Sequence, residues 1–173
     1  MTRSQTTGLY QLTRRWAWRA GEILHLLVGW GLRVLQVVTL GQLPPLVGVG
    51  AAVLHEDRVL ALLRYDGLYA LPGGTMRYGE TCDSALRREL LEETGVEVTI
   101  EGLVGVYSGP AKGRNVRAVV VVYRCRWTAG SLHGSYEGEP LWLPLEALPP
   151  SDRWAFGSDE VLHDLLAGHV NLF

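Results

Sequence analysis

The sequence predicts a mixed α/β sandwich preceded by a helical extension. Three observations predict it. Short runs rich in valine, leucine and isoleucine recur between turn signals from residue 47 onward. Two helix-like segments interrupt and close that series, the first of them running from a capping threonine, Thr81, to a glycine stop, Gly95. The 173-residue chain is 47% hydrophobic and 20% charged, which suits one folded domain plus an extra element and excludes a disordered chain.

Taken in order, residues 1–43 form the helical extension and residues 44–173 the domain, with the composition shifting at Pro44-Pro45. From Gly8 to Gly41 there is neither proline nor strand alternation, so one long or two short helices are expected. Ile23, Leu27, Trp30, Val34 and Val37 make one apolar stripe, and Leu24, Val28, Leu32 and Leu35 make the other side apolar too. Three readings follow. The favoured one is packing on the domain or on a second copy in a homodimer. The second is a helix on a membrane surface, with Trp16, Trp18, Trp30 and the arginines at the interface. The third is a spanning helix or export signal. Thr13-Arg14-Arg15 resembles a twin-arginine signal only loosely, because Glu22, His25 and Arg33 break the apolar region.

Val47–Leu54 reads as a buried strand, His55-Glu56-Asp57 as a turn and Arg58–Arg64 as its hairpin partner. Leu68–Leu71 is a short strand ending in the turn signal Pro72-Gly73-Gly74. The helix after Thr81 has Asp83 in its first turn and runs through Thr94. Val96–Ile100 and Leu103–Ser108 read as two strands, Gly109–Asn115 as a loop and Val116–Trp127 as a long strand. Ala129–Pro140 reads as a polar loop, Leu141–Leu143 as a short strand and Ser158–Gly168 as the closing helix.

Composition excludes several functions. A net charge of −2 argues against a broad basic surface for nucleic acid. Two cysteines, Cys82 and Cys125, make neither a disulfide framework nor a zinc motif, so a reducing, cytoplasmic setting is expected. An anionic substrate would therefore need metal ions or a local basic cluster.

The chemistry concentrates in one segment. Glu89, Glu92 and Glu93 lie at i, i+3 and i+4 and share one side of the helix. Like charges at this spacing cost roughly 0.2–0.5 kcal/mol per pair. Arg88 reaches Glu92 at i+4, but Glu89 and Glu93 have only Ala85 and Glu97 as their other neighbours at that spacing. Such a cluster suits magnesium or manganese, which prefer hard oxygen ligands. A solvated acidic surface is the alternative. Glu80 and Arg88 either pair, locking the glycine turn against the helix, or remain separate surface charges.

The full pattern is Gly74-x5-Glu80-x7-Arg88-Glu89-Leu90-x-Glu92-Glu93-x-Gly95-Val96. It resembles the Nudix box of the Nudix hydrolases at all nine specified positions. At average composition such a match arises by chance on the order of once per billion starting positions. The resemblance implies a Nudix α/β/α sandwich with a mixed sheet over residues 44–173, leaving residues 1–43 outside the family core. It implies a magnesium-dependent hydrolase, with manganese as an alternative, that splits the pyrophosphate of a small-molecule nucleoside diphosphate derivative. Glu89 and Glu93 would be the main metal ligands, Glu92 would support them, and the carbonyl of Gly73 would add a ligand. Arg88 and Glu80 would hold the glutamates in place. Glu89 or Glu93 would take the proton from water, or a loop acid would, Glu137 or Glu139.

Substrate contacts implied by the resemblance are Arg64 at a strand end, Gly74, Lys112 and Arg114 in a loop, and Glu137. Tyr65, Tyr69 and Tyr78 flank the mouth, where they either stack a base or pack. ADP-ribose-like nucleotide sugars and modified nucleoside triphosphates both suit the sequence. Pro110 lies near a marker of ADP-ribose-cleaving members, and Ser158-Asp159 replaces the asparagine with which the 8-oxo-dGTP branch reads its base. The alternative function is a catalytically weak nucleotide-binding module of the same fold, membrane-associated through its N-terminal helix.

Overall fold

The computed structural model describes residues 30, 31, 33–35, 37, 38, 45–110 and 117–170. The chain divides into two units, Met1–Leu43 and Pro44–Phe173. Of the first, the described residues are helical and exposed. Among the described residues no helix is long and apolar enough to cross a membrane.

The second unit is built on a seven-stranded mixed sheet. Its elements are β1 (Leu46–His55), β2 (Arg58–Leu63), β3 (Tyr69–Ala70), β4 (Gly73–Thr75), α1 (Cys82–Thr94), β5 (Val96–Pro110), β6 (Arg117–Gly130), β7 (Glu139–Pro144) and α2 (Ser158–Ala167). The main path runs β3-β2-β1-β6-β5. Only β1 and β6 are parallel, with Val49 opposite Val121. The sheet forks at β1, which pairs with β2 at its end (Leu54↔Val59) and with β4 nearer its start (Val49↔Gly74). That fork brings the glycine-rich β4 beside α1.

Alternation along β1 makes the sandwich two-sided. Val49, Ala51 and Val53 are buried against Ala85, Leu86 and Leu90 of α1. The intervening Ala52 faces the other way, into a cluster with Val104, Val122 and Val161 of α2. Leu86 and Leu90 are fully buried, and each contributes about 1.5–3 kcal/mol relative to an exposed position. The expected caps of α1 are present. Thr81 Oγ1 accepts from the Ser84 N–H, Ser84 Oγ accepts in return from the Thr81 N–H, and Gly95 closes the helix in the left-handed conformation.

Several boundaries differ from the sequence reading: the strand expected at Leu68–Leu71 is Tyr69–Ala70 alone, and Gly109 and Pro110, expected in a loop, belong to β5. The strands expected at Val96–Ile100 and Leu103–Ser108 are one element, β5, whose bulges absorb the break without ending its pairing with β6. Pro72-Gly73-Gly74 does not simply turn, because Gly73 and Gly74 enter β4 and pair with β1. The Ala129–Pro140 loop is shorter than expected, since β6 continues to Gly130 and β7 begins at Glu139.

Candidate active site

The local chain geometry of β4 and α1 sets the positions of the acidic side chains. Arg88 is the hub. Its Nε and Nη2 donate to the two oxygens of Glu80 at 2.6 and 2.9 Å, and its Nη2 also reaches the Thr75 carbonyl. Its Nη1 pairs with Glu89 at 2.8 Å. This two-point grip is the geometry for which a guanidinium is suited and an ammonium is not. Glu80 Oε2 also accepts from the Arg77 N–H, at 2.7 Å. The Arg88 guanidinium and then the Arg77 N–H hold the Glu80 carboxyl at about 2, well below its ordinary 4.5. Glu80 and Arg88 therefore do lock the glycine turn to the helix. The sequence reading left Glu89 without a partner at helical spacing. It is paired by its immediate neighbour because the arginine side chain is long enough to lie back along the helix.

Glu93 is nearly buried, and Gly73 N–H donates to its Oε2 at 2.9 Å. Burial pushes the Glu93 carboxyl well above its ordinary range, and the charge of Glu137 pushes in the same direction while the Gly73 N–H opposes both. Glu89 is raised as well, by burial first, with Arg88 opposing and Glu137 and Glu92 adding repulsion. Gly74 lies directly against Glu89, so a Cβ there would fall 2.5 Å from the carboxylate carbon. Glu92 faces outward, half exposed, and pairs with Arg77 at 3.2 Å and Arg88 at 3.4 Å.

The two loop acids separate clearly. Glu137 comes to the cluster, close enough for its charge to act on both Glu93 and Glu89. Glu139 instead lies at the start of β7, opposite Leu63 of β2, with its side chain exposed. A tight turn sets the position of Glu137. Ser135 N–H donates to the Gly138 carbonyl, and Ser135 Oγ accepts from the Glu137 N–H, both at 3.1 Å. Gly138 packs on the end of β2, where a Cβ would fall 2.6 Å from the Leu63 carbonyl oxygen. Tyr65 O–H donates to the Ser135 carbonyl at 3.5 Å. Tyr136, next in the chain, is exposed over its residue as a whole, and partial burial of its hydroxyl, then the Glu137 charge, pushes the phenol up.

Arg64 sits at the end of β2, nearly buried, and its guanidinium is paired with Asp66, the closest contact being 2.9 Å. It also stacks over the Phe156 ring at 4.6 Å. Tyr69 packs on Trp154, with the ring centroids 5.7 Å apart, while Tyr78 is fully exposed. Lys112 and Arg114 lie outside the described residues. Sequence reasoning missed Ser135, Tyr136, Asp66 and Phe156. Ser135, Tyr136 and Asp66 lie within two residues of Glu137 or Arg64, but in turns, where no periodicity marks them, and only the fold brings Phe156 to Arg64.

The donor set fits a divalent, oxygen-seeking cation. Among the described residues no three His, Cys, Asp or Glu side chains already close a coordination shell. The carboxylate of half-buried Glu137 nevertheless approaches that of buried Glu93 despite their repulsion. Their donors are all oxygen, the chemistry that magnesium and manganese select.

Comparison with known proteins agrees with this geometry. The family profile of the NUDIX domain matches residues 44–165. A "MutT-like protein" of Streptomyces ambofaciens is 39% identical over 105 residues, 58% of this chain and 66% of that protein. An "ADP-ribose pyrophosphatase" of Methanocaldococcus jannaschii is 30% identical over 129 residues, 72% of this chain and 75% of that protein. The crystal structure of a MutT NUDIX hydrolase from Burkholderia pseudomallei superposes with a TM-score of 0.63 at 25% identity, covering 71% of this chain and 99% of that one.

Proposed function

This chain belongs to the Nudix hydrolase family, and on that premise we propose a magnesium-dependent diphosphatase acting on ADP-ribose or a related nucleotide sugar. The family membership carries pyrophosphate hydrolysis. Similarity to the Methanocaldococcus jannaschii protein named ADP-ribose pyrophosphatase supports the substrate class. The observation that carries the reading is the buried Glu93 carboxylate, fixed by the Gly73 N–H with Glu137 brought onto it.

Glu89, Glu93 and Glu137, with the Gly73 carbonyl, would hold the metal, and Glu92 would support them from outside. A bound metal neutralises diphosphate charge and lowers the pKa of water. Arg88 and Glu80 position Glu89. Glu93 is immobilised by Gly73, so that it or Glu89 takes the proton of the attacking water. Gly74, lacking a side chain, lets the Glu89 carboxylate lie against β4. Arg64, braced by Asp66 and stacked on the Phe156 ring, would contact the substrate phosphates, and Arg114 would add a second positive charge. Residues 44–173 are the catalytic domain, in the cytoplasm, and residues 1–43 are an extension available for a homodimer contact.

The test is a substrate panel with magnesium that includes ADP-ribose, nucleotide sugars and 8-oxo-dGTP, with products resolved by chromatography. ADP-ribose should yield AMP and ribose 5-phosphate. Glu93→Gln should lower turnover about 100- to 10,000-fold, the range for loss of a positioned base. Equal turnover by the variant would place the activity elsewhere.

A further inference from the structure

The two units of the chain differ sharply in charge. Five arginines (Arg3, Arg14, Arg15, Arg19 and Arg33) against one acid, Glu22, give residues 1–43 a formal charge of +4. The chain's total of −2 then leaves −6 for the remainder. Three of the six tryptophans, Trp16, Trp18 and Trp30, also fall in this first quarter of the sequence.

The described helical residues add a second observation. Trp30 is 71% exposed and Val37 77%, with Val34 and Val38 also exposed. At helical spacing these four occupy an arc of roughly 100°, and Arg33 lies about 40° beyond Val37 at its border. Leu35, about 60° beyond Val38, is exposed too and widens the apolar side. The run Ile23–Leu40 holds a single formal charge, Arg33, in eighteen residues. A broad exposed apolar arc with an arginine at its border is the pattern of a helix lying in a membrane interface. Tryptophan and arginine together favour the headgroup boundary, where each keeps an apolar body in hydrocarbon and a polar end in water.

We propose that residues 1–43 dock this protein on an anionic lipid bilayer, with the Trp30–Val34–Val37–Val38 stripe among the acyl chains and the arginines on the headgroups. The arginines offset the repulsion between the acidic remainder and the surface, and the apolar stripe gives the contact its depth. The inference stands independently of the reaction assigned above.

Flotation of the full chain with phosphatidylcholine vesicles, with and without phosphatidylglycerol, tests it. Wild type should float with the anionic vesicles, less at high salt, and little with the neutral ones. Val34→Glu combined with Val37→Glu, and separately Arg14→Glu combined with Arg15→Glu, should each lower the bound fraction at least about tenfold. Circular dichroism and an unchanged melting midpoint show that each variant is folded. Three outcomes overturn the proposal. The first is wild type unbound by either vesicle, and the second is unchanged binding by both variants. The third is a concentration-dependent dimer that Val34→Glu with Val37→Glu dissolves while vesicles bind nothing, which assigns the stripe to a second copy.

Discussion

Two acidic places meet at one end of the sheet, and they are built in opposite ways. At the corner of β4 and α1, partners lie close in sequence. Gly73 holds Glu93 from twenty positions away and Arg88 holds Glu80 from eight. Each carboxylate there is fixed by a side chain or an N–H of its own neighbourhood. At the turn before β7, Glu137 is fixed by backbone geometry. Ser135 and Gly138 shape the turn, and pairing of β7 with β2 carries it to Glu93. The first place is a network of charges, and its failure modes are electrostatic. The second is a matter of fit, and its failure modes are steric.

The largest expected effect tests the charge network at its buried end. Glu93→Gln should lower turnover by two orders of magnitude or more while raising the melting midpoint of the metal-free protein. Burial and Glu137 make the Glu93 charge unfavourable in the fold, and glutamine keeps an acceptor for Gly73. A lower midpoint would show that the carboxylate is stabilised there rather than strained.

Arg88→Met comes next, because it strips Glu80 and Glu89 of their shared partner. A loss of about 2 kcal/mol in chemical denaturation is expected, together with weaker manganese binding measured by electron paramagnetic resonance. Retained stability would reduce the network to surface pairs.

The turn is tested by three substitutions. Glu137→Gln should weaken manganese binding on the order of tenfold, whereas Glu139→Gln should leave it within about twofold, since exposed substitutions away from a site are close to neutral. Gly138→Ala should approach the effect of Glu137→Gln without removing any charge, because its Cβ would fall 2.6 Å from the Leu63 carbonyl oxygen. Equal effects at Glu137 and Glu139 would erase the contrast between the two acids.

The smallest effect is the pH dependence at Glu80. Its folded pKa of about 2 lies below the ordinary 4.5, so the unfolded chain binds the proton more readily between those values. Stability from this group is therefore complete above about pH 4.5 and is lost as pH falls toward 2. Glu80→Gln should flatten that part of the denaturation-against-pH curve, and an unchanged slope would separate Glu80 from acid unfolding.

The contrast also explains what could be read in advance. Thr81, Gly95 and the glutamates declare themselves because a helix fixes which residues share a side, so spacing alone carries the information. Glu137 was chosen together with Glu139, and nothing local distinguishes them. The turn closed by Ser135 and Gly138 carries Glu137 to the cluster, while Glu139 opens β7 with its side chain in solvent. Arg64 illustrates the same limit. A strand-end arginine suggests a phosphate contact, but its bracing partners, Asp66 two residues later and Phe156 ninety-two residues later, carry no signal in the sequence.

The sequence by itself determined the sandwich, the caps of α1, the family and the acidic side of its helix. Each follows from periodicity or from partners within one or two turns, and those survive any arrangement of the remaining chain. Only the tertiary structure decided which loop acid meets Glu93, that β5 is one bulged strand, and that Phe156 lies against Arg64. Those outcomes depend on strand pairing between distant segments, where register and close packing decide, and neither quantity is written in local spacing.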